Sequence, residues 1–469
     1  MSEAAPKPAQ SVSGRKLVIV FVGLLVVALG SYGFVRWRVF AARDAELAEE
    51  AAHRSRNEAS APNAGSRPHD RPLDYTAALA ECDRTILWQA ARAAPGNSSL
   101  EYKALADLHR NRAMLTGDYD EYALAEDALA RAFAIAPEPS GPYGTRARLA
   151  LTLHRVPQAT ADLDVWKHLP RLDSSDRSGI AMLEGDLAML TGRFEDARAA
   201  YHAAEHEEPT SGTMLAIAQL SWRSGAMTQG RDRFEDGLRR YHGPRGQFTA
   251  WARVQLAQLE LDRGQFSAAL AEVDEAEQEL PGWWFVAEIR ARTLELLGRV
   301  VEARALYEQL ATTPGHPEDL DGLAGLLRDS DDPFLAQSSI DRARVLHEER
   351  VARFPEAATG HAVDHYLQLE TDPARALELA ESDHALRPGL VQTVKLAQAY
   401  VKAHRLEDAR AVLAPILASP FSSGELHGTA SIVLQALGDD TGADAARARA
   451  EAIDPHALGR LAWLSELAR

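Results

Sequence analysis

An all-α array of short helix pairs is the fold this 469-residue sequence predicts, and three observations predict it. Ala, Leu, Arg and Glu dominate beyond the amino-terminal segment, while runs of β-branched residues are short. Proline or glycine recurs at intervals of about one helix, cutting the chain into short helical pieces. The cuts are regular: Gly192, Gly225, Gly264 and Gly298 stand 33, 39 and 34 residues apart, and His404 to Gly438 spans another 34. Two helices this short cannot bury their apolar faces alone, so pairs must stack on one another to make a continuous core.

Residues 1–16 form a basic tail carrying Lys7, Arg15 and Lys16. The run "LVIVFVGLLVVALGSYGFV", residues 17–35, is nineteen residues without a charge, close to the roughly 20 that span a bilayer as a helix. It is expected to be a single transmembrane helix. A cleaved signal peptide is the rival, and it would release a soluble adaptor, but this run exceeds the usual apolar region of about 7–15 residues. Arg36 and Arg38 follow it directly, and Tyr32, Phe34 and Trp37 cluster at its far end as interfacial anchors do. Basic residues flank the run on both sides, so charge does not orient it clearly. A short basic tail that stays in the cytoplasm would place the body on the periplasmic or extracytoplasmic side of a cytoplasmic membrane.

Residues 36–72 read as a helical extension that becomes a flexible linker rich in Pro, Asn, Gly and Ser. Residues 73–98 would cap the array, residues 99–455 would form about ten helix pairs, and residues 456–469 would close it with a solvating helix. The units near Gly141 to Pro170 and His316 to Pro355 are degenerate, and "RDSDDPFLAQSS" lengthens a turn in the second.

Within the regular units the residue types repeat. Ala197, Tyr201, Ala204 and Pro209 occupy equivalent places to Ala269, Val273, Ala276 and Pro281, and to Ala443, Arg447, Ala450 and Pro455, with Arg447 the departure. Gly185, Ala218, Ala257, Ala291 and Ala397 take the small position of the first helix, and Tyr400 an aromatic place three residues further. In these features the chain resembles a tetratricopeptide-repeat protein. The resemblance covers over three quarters of the sequence and implies a right-handed superhelical solenoid whose first helices line a concave groove. It bears on fold and not on ligand.

On that implied groove the first-helix stripes place Leu215, Gln219, Trp222 and Arg223, then Trp251, Val254 and Gln258, then Phe285, Glu288 and Arg292. Aromatic residues interspersed with Gln and Arg suit an extended or helical peptide, although Trp251 and Phe285 would equally suit packing between units. His361 and His365, spaced i, i+4, fall on the same stripe and read as polar groove contacts or as simply exposed residues. The paired Lys and Asn set that clamps a terminal carboxylate in chaperone-binding relatives is not evident.

"HAAEH", His202 to His206, matches a short zinc-peptidase pattern. Taking Ala197 as zero and about 100° per residue, Tyr201 and Ala204 fall at about 40° and 340°, whereas His202 and His206 fall at about 140° and 180°. The histidines therefore point away from the buried face, and no third ligand is evident. A zinc-dependent hydrolase using one of the His pairs is the alternative reading. No phosphate-binding loop, nucleophile elbow or kinase set is present, so no catalytic residue, cofactor or metal is expected.

The formal charge is −17; residues 1–43 contribute +5, leaving −22 (−17 minus +5) for the rest. An acidic body gives no electrostatic footprint for nucleic acid, and Cys82, the one cysteine, excludes an intramolecular disulfide framework. The sequence reads as a membrane-tethered scaffold that binds protein or peptide partners in an envelope or secretion-related assembly of bacterial type.

Overall fold

The computed structural model describes residues 74–468 apart from 95, 313–314, 329–331 and 371. The basic tail, the apolar run 17–35 and the linker 36–72 lie outside the described residues. Among those described, no helix is long and apolar enough to cross a membrane, and every regular element is helical.

A leading helix, α1 (Tyr75–Ala93), packs on the first of ten consecutive helix pairs. The pairs are α2 (Ser99–Thr116) with α3 (Asp120–Ile135), α4 (Tyr143–Thr152) with α5 (Val156–Lys167), α6 (Ser174–Leu190) with α7 (Phe194–Glu207), α8 (Ser211–Arg223) with α9 (Met227–Arg239), and α10 (Gln247–Asp262) with α11 (Phe266–Glu279). They continue as α12 (Trp284–Leu296) with α13 (Val300–Leu310), α14 (Pro317–Leu327) with α15 (Pro333–Arg353), α16 (Pro355–Gln368) with α17 (Pro373–Leu386), α18 (Leu390–Lys402) with α19 (Leu406–Leu417), and α20 (Gly424–Ala436) with α21 (Asp440–Ile453). Two short helices, α22 (Ala457–Arg460) and α23 (Ala462–Leu467), end the chain.

Local sequence explains where several of the helices start and stop. Side-chain caps at Ser98, Asp173, Thr210 and Ser423 accept from backbone N–H groups of the first turn, which removes donors that a helix start leaves unpaired. The turn inside a pair needs one left-handed residue, supplied by Gly192, Gly225, Gly264, Gly298 and Gly438 at φ between 69° and 79°. His154 and His404 fill the same place at φ 56°, without the freedom of glycine.

Small residues let the two helices of a pair approach. Ala197, Ala204, Ala269, Ala276 and Ala450 are fully buried, and Tyr201 and Val273 lie between the helices with them. Burial of a Val-sized side chain contributes about 1.5–3 kcal/mol, repeated unit after unit. Arg447, the departure from the pattern, stays half-buried and donates to Gln435 on the preceding helix at 3.1 Å.

First helices of neighbouring pairs touch directly, for example α10 with α12, α14 with α16 and α18 with α20, whereas second helices meet mainly the first helices on either side. The first helices are therefore on the inside of the curve. The coil also returns on itself. Tyr75 N–H donates to Pro281 O at 2.9 Å, and the indoles of Trp283 and Trp284 both donate to Leu115 O, at 2.8 and 2.9 Å. Ser422 N–H donates to Arg223 O at 3.0 Å, and Arg460 reaches Leu261 O, 199 residues earlier, at 3.3 Å. One turn of the coil thus takes about 200 residues, and successive turns meet along a seam.

The two ends are less solvated than the sequence suggests. Ala78, Leu79 and Cys82 of α1 pack against the cluster that holds Trp283 and Val286. Leu461 and Leu464, expected in a solvating cap, are buried against α18 and α20.

Candidate functional site

The stripe expected to form a groove divides in two. Leu215, Trp222 and Val254 are core, at 3%, 3% and 0% exposure, which corrects their placement on a groove surface. The reason for Trp222 is a single acceptor: its indole N–H donates to the Asp262 carboxylate at 3.0 Å while its ring meets Phe234 edge-on. Trp251 is half-buried beside Phe248, and Phe285 packs with Trp283 and Trp284. These aromatics pack between units and do not make a continuous apolar track.

The polar half of the stripe keeps access to solvent. Gln219, Gln258 and Glu288 are half-buried and Arg292 is exposed. The Arg223 guanidinium lies over the Trp222 ring, 4.1 Å from its centroid, with about 32% of its side chain exposed and Asp262 at 3.9 Å. Charged groups from the far turn of the coil act on the same space. Glu425 of α20 is close enough to act electrostatically on Arg223, Asp262 and Lys395, and Arg292 acts on both Asp262 and Lys395. Charges on α8, α10, α12, α18 and α20 therefore face one shared interior.

Packing desolvates these charges in part. Burial pushes the Glu288 carboxyl up to about 8, with Asp319 and Glu318 adding to the effect and Arg292 and Arg350 opposing it. Burial likewise raises Asp262, although Arg223, Arg292 and Arg460 pull the other way. Burial lowers Arg223 and Lys395. The pattern is that of a mixed-sign, partly solvated lining on which a ligand's charges would act.

A cleft of about 1220 Å³ opens beside the seam, where the α2–α3 turn faces α12, α13 and α15. Trp284 stacks on His316 at 4.0 Å at its wall. Its arginines are engaged: Arg112 with Asp83 and Glu121, Arg290 with Asp274, Arg350 with Glu318, and Arg353 with Asp120.

The histidines separate as well. His202 and His206 are exposed, as their helical angles imply. His361 is exposed and pairs with Glu318 at 3.2 Å. His365 is not a groove residue: it is 1% exposed, because α16 packs it against α14 and the long helix α15. There its Nδ1 lies 2.6 Å from Asp321 Oδ1, and the other oxygen of Asp321 lies 2.8 Å from Nε2 of His347, itself 1% exposed. One ligand-type atom from each of Asp321, His347 and His365 lies within 4.8 Å of the others. Sequence reasoning paired His365 with His361 by spacing and missed His347 and Asp321, since only the packing of α14, α15 and α16 brings them together.

No protein-family model matches the chain, and no curated protein does. Solved structures with a similar course are helical-repeat proteins. A Rap protein complexed with competence and sporulation factor is 13% identical, with 79% of this chain and 100% of that chain covered and a TM-score of 0.42. The human IFIT1 dimer with m7Gppp-AAAA is 14% identical, covering 79% and 94%, with a TM-score of 0.39. A tetratricopeptide repeat protein from Parabacteroides merdae is 14% identical, covering 55% and 98%, with a TM-score of 0.32. The class assigned to this chain, a helix-pair solenoid, rests on its own pair geometry.

Proposed function

We propose that this chain is a membrane-tethered scaffold that holds an extended segment of a protein partner along the inner face of its coil. The observation that supports the reading is the charged lining shared by Arg223, Asp262, Glu288, Arg292 and Lys395. A mixed-sign surface selects a partner by charge pattern more than by apolar area. Gln219 and Gln258 add amide groups suited to a peptide backbone.

The tether is the uncharged run 17–35, which would hold the body at a bacterial-type cytoplasmic membrane on the extracytoplasmic side, in an envelope or secretion-related assembly. Two measurements test the proposal. Carbonate extraction should leave the intact chain in the membrane pellet, and release to the supernatant would remove the tether. Affinity capture with the full chain should lose its specific partners in an Arg223→Ala, Arg292→Ala double variant that melts like the wild type; unchanged recovery would remove the inner face as the binding surface.

A further inference from the structure

We infer that Asp321, His347 and His365 form a binding site for a divalent transition-metal ion of the zinc class, with Glu370 as the supporting carboxylate. Two imidazole nitrogens and one carboxylate oxygen are a common ligand set for zinc, leaving a position for water. Here they come from three successive helices, α14, α15 and α16, and both imidazoles are buried while the Asp321 side chain keeps 17% of its surface exposed. The carboxylate thus meets solvent while the two rings are enclosed.

Proton bookkeeping at His365 favours the ion. Without a metal, Nδ1 and the His347 Nε2 each donate a proton to one oxygen of Asp321. A neutral His365 then turns the bare lone pair of Nε2 toward Glu370 Oε1, 3.5 Å away, and this buried nitrogen has no hydrogen-bond partner. A buried ring nitrogen left without a partner is costly. With a metal ion on Nδ1, the imidazole proton moves to Nε2, which donates to Glu370, and every atom of the ring is used. A metal-bound histidine commonly donates its other N–H to a carboxylate in this way.

Glu370 is itself positioned for that role. Arg344 lies 3.0 Å from its Oε1, and Lys402 donates to the carbonyls of Tyr366, Leu367 and Glu370 at 2.8, 2.8 and 2.6 Å, fixing the end of α16. The competing account is a second proton on His365, held between Asp321 and Glu370.

The test uses the full chain without a histidine tag, stripped with chelator and titrated with zinc alone by calorimetry, and with cobalt followed by its visible d–d absorption. One ion per chain is expected, with affinity falling at least about 100-fold in His347→Gln and Asp321→Asn. Glu370→Gln should weaken binding by about 10–100-fold, and His361→Gln should leave it unchanged, because that residue pairs with Glu318 outside the cluster. Zinc binding that is absent in the wild type, or equal in wild type and His347→Gln, overturns the site in favour of the doubly protonated histidine. Should His347→Gln fail to fold, the wild-type cobalt titration decides: no d–d absorption at one equivalent overturns it.

Discussion

The ring of Tyr201 occupies the space that a side chain on Gly185 would need: a Cβ built there would stand 2.3 Å from Tyr201 Cε1. The same ring ends in a hydroxyl that donates to Asp186 at 2.8 Å, so it is held on both sides. Gly185→Ala must therefore move a fixed ring and not a flexible tip. We expect a loss of about 1–3 kcal/mol in chemical denaturation, with the far-ultraviolet spectrum still helical. A variant as stable as wild type would show that the α6–α7 contact yields more easily than described.

Two turn residues test the backbone argument. His404 is exposed and sits in the left-handed region at φ 56°, where a side chain costs about 1–2 kcal/mol. After the extra unfolded-state freedom of glycine is subtracted, His404→Gly should stabilise by roughly 0.5–1 kcal/mol. The opposite change at the matching turn, Gly438→Ala, should destabilise by about 1 kcal/mol. Thermal melts of the two variants must move in opposite directions.

Much of this was legible in the sequence because it is local. The spacing of Gly192, Gly225, Gly264 and Gly298 marks turns that need φ above zero, and the alternation of Ala197, Tyr201 and Ala204 marks a buried face; both follow from a few neighbouring residues. What escaped was set by contacts distant in sequence. Trp222 reads as a groove aromatic until Asp262, 40 residues on, supplies its acceptor. His365 reads as one of a surface pair until Asp321, 44 residues back, claims its Nδ1. The seam had no signal at all, since about 200 residues separate its partners.

Trp222 and Arg292 should behave differently although they lie on one stripe. Trp222→Ala removes a buried ring and the indole donor to Asp262, and we expect a loss of about 3–5 kcal/mol. Arg292→Ala, on an exposed side chain with no ion pair within 4 Å among the described residues, should stay within about 0.5 kcal/mol of wild type. Paired denaturation curves check both, and a mild Trp222→Ala would return that residue to the groove.

His154 gives the seam a pH dependence. Its Nδ1 lies 3.2 Å from the Glu356 carbonyl and its Nε2 accepts from Arg387 at 2.9 Å, an arrangement that fits only the neutral ring. Burial, with Arg387 beside it, pushes its pKa down to about 3. A base whose folded pKa is depressed stabilises above its unfolded value of about 6.5, and that stability is lost as pH falls toward the folded value. Between pH 7 and pH 5 the wild type should lose on the order of 1–2 kcal/mol more than His154→Asn. Asn tolerates the left-handed backbone at this position, so the comparison isolates the ring. Parallel losses in the two proteins would mean that His154 does not titrate in this window.

The seam changes what kind of object the solenoid is. In an array whose units touch only their neighbours, melting starts at either end and unzips inward, one unit at a time. Here the indole of Trp283 is tied to Leu115, 168 residues earlier, and Arg460 to Leu261, so an end cannot fray without tearing a bond to the middle. Deleting the last units would leave bare the surface of α8 to α10 that they cover, and the damage would appear far from the cut. The protein should accordingly melt as a single transition, and pull apart under force only after a threshold, as a spring does when its neighbouring coils are joined.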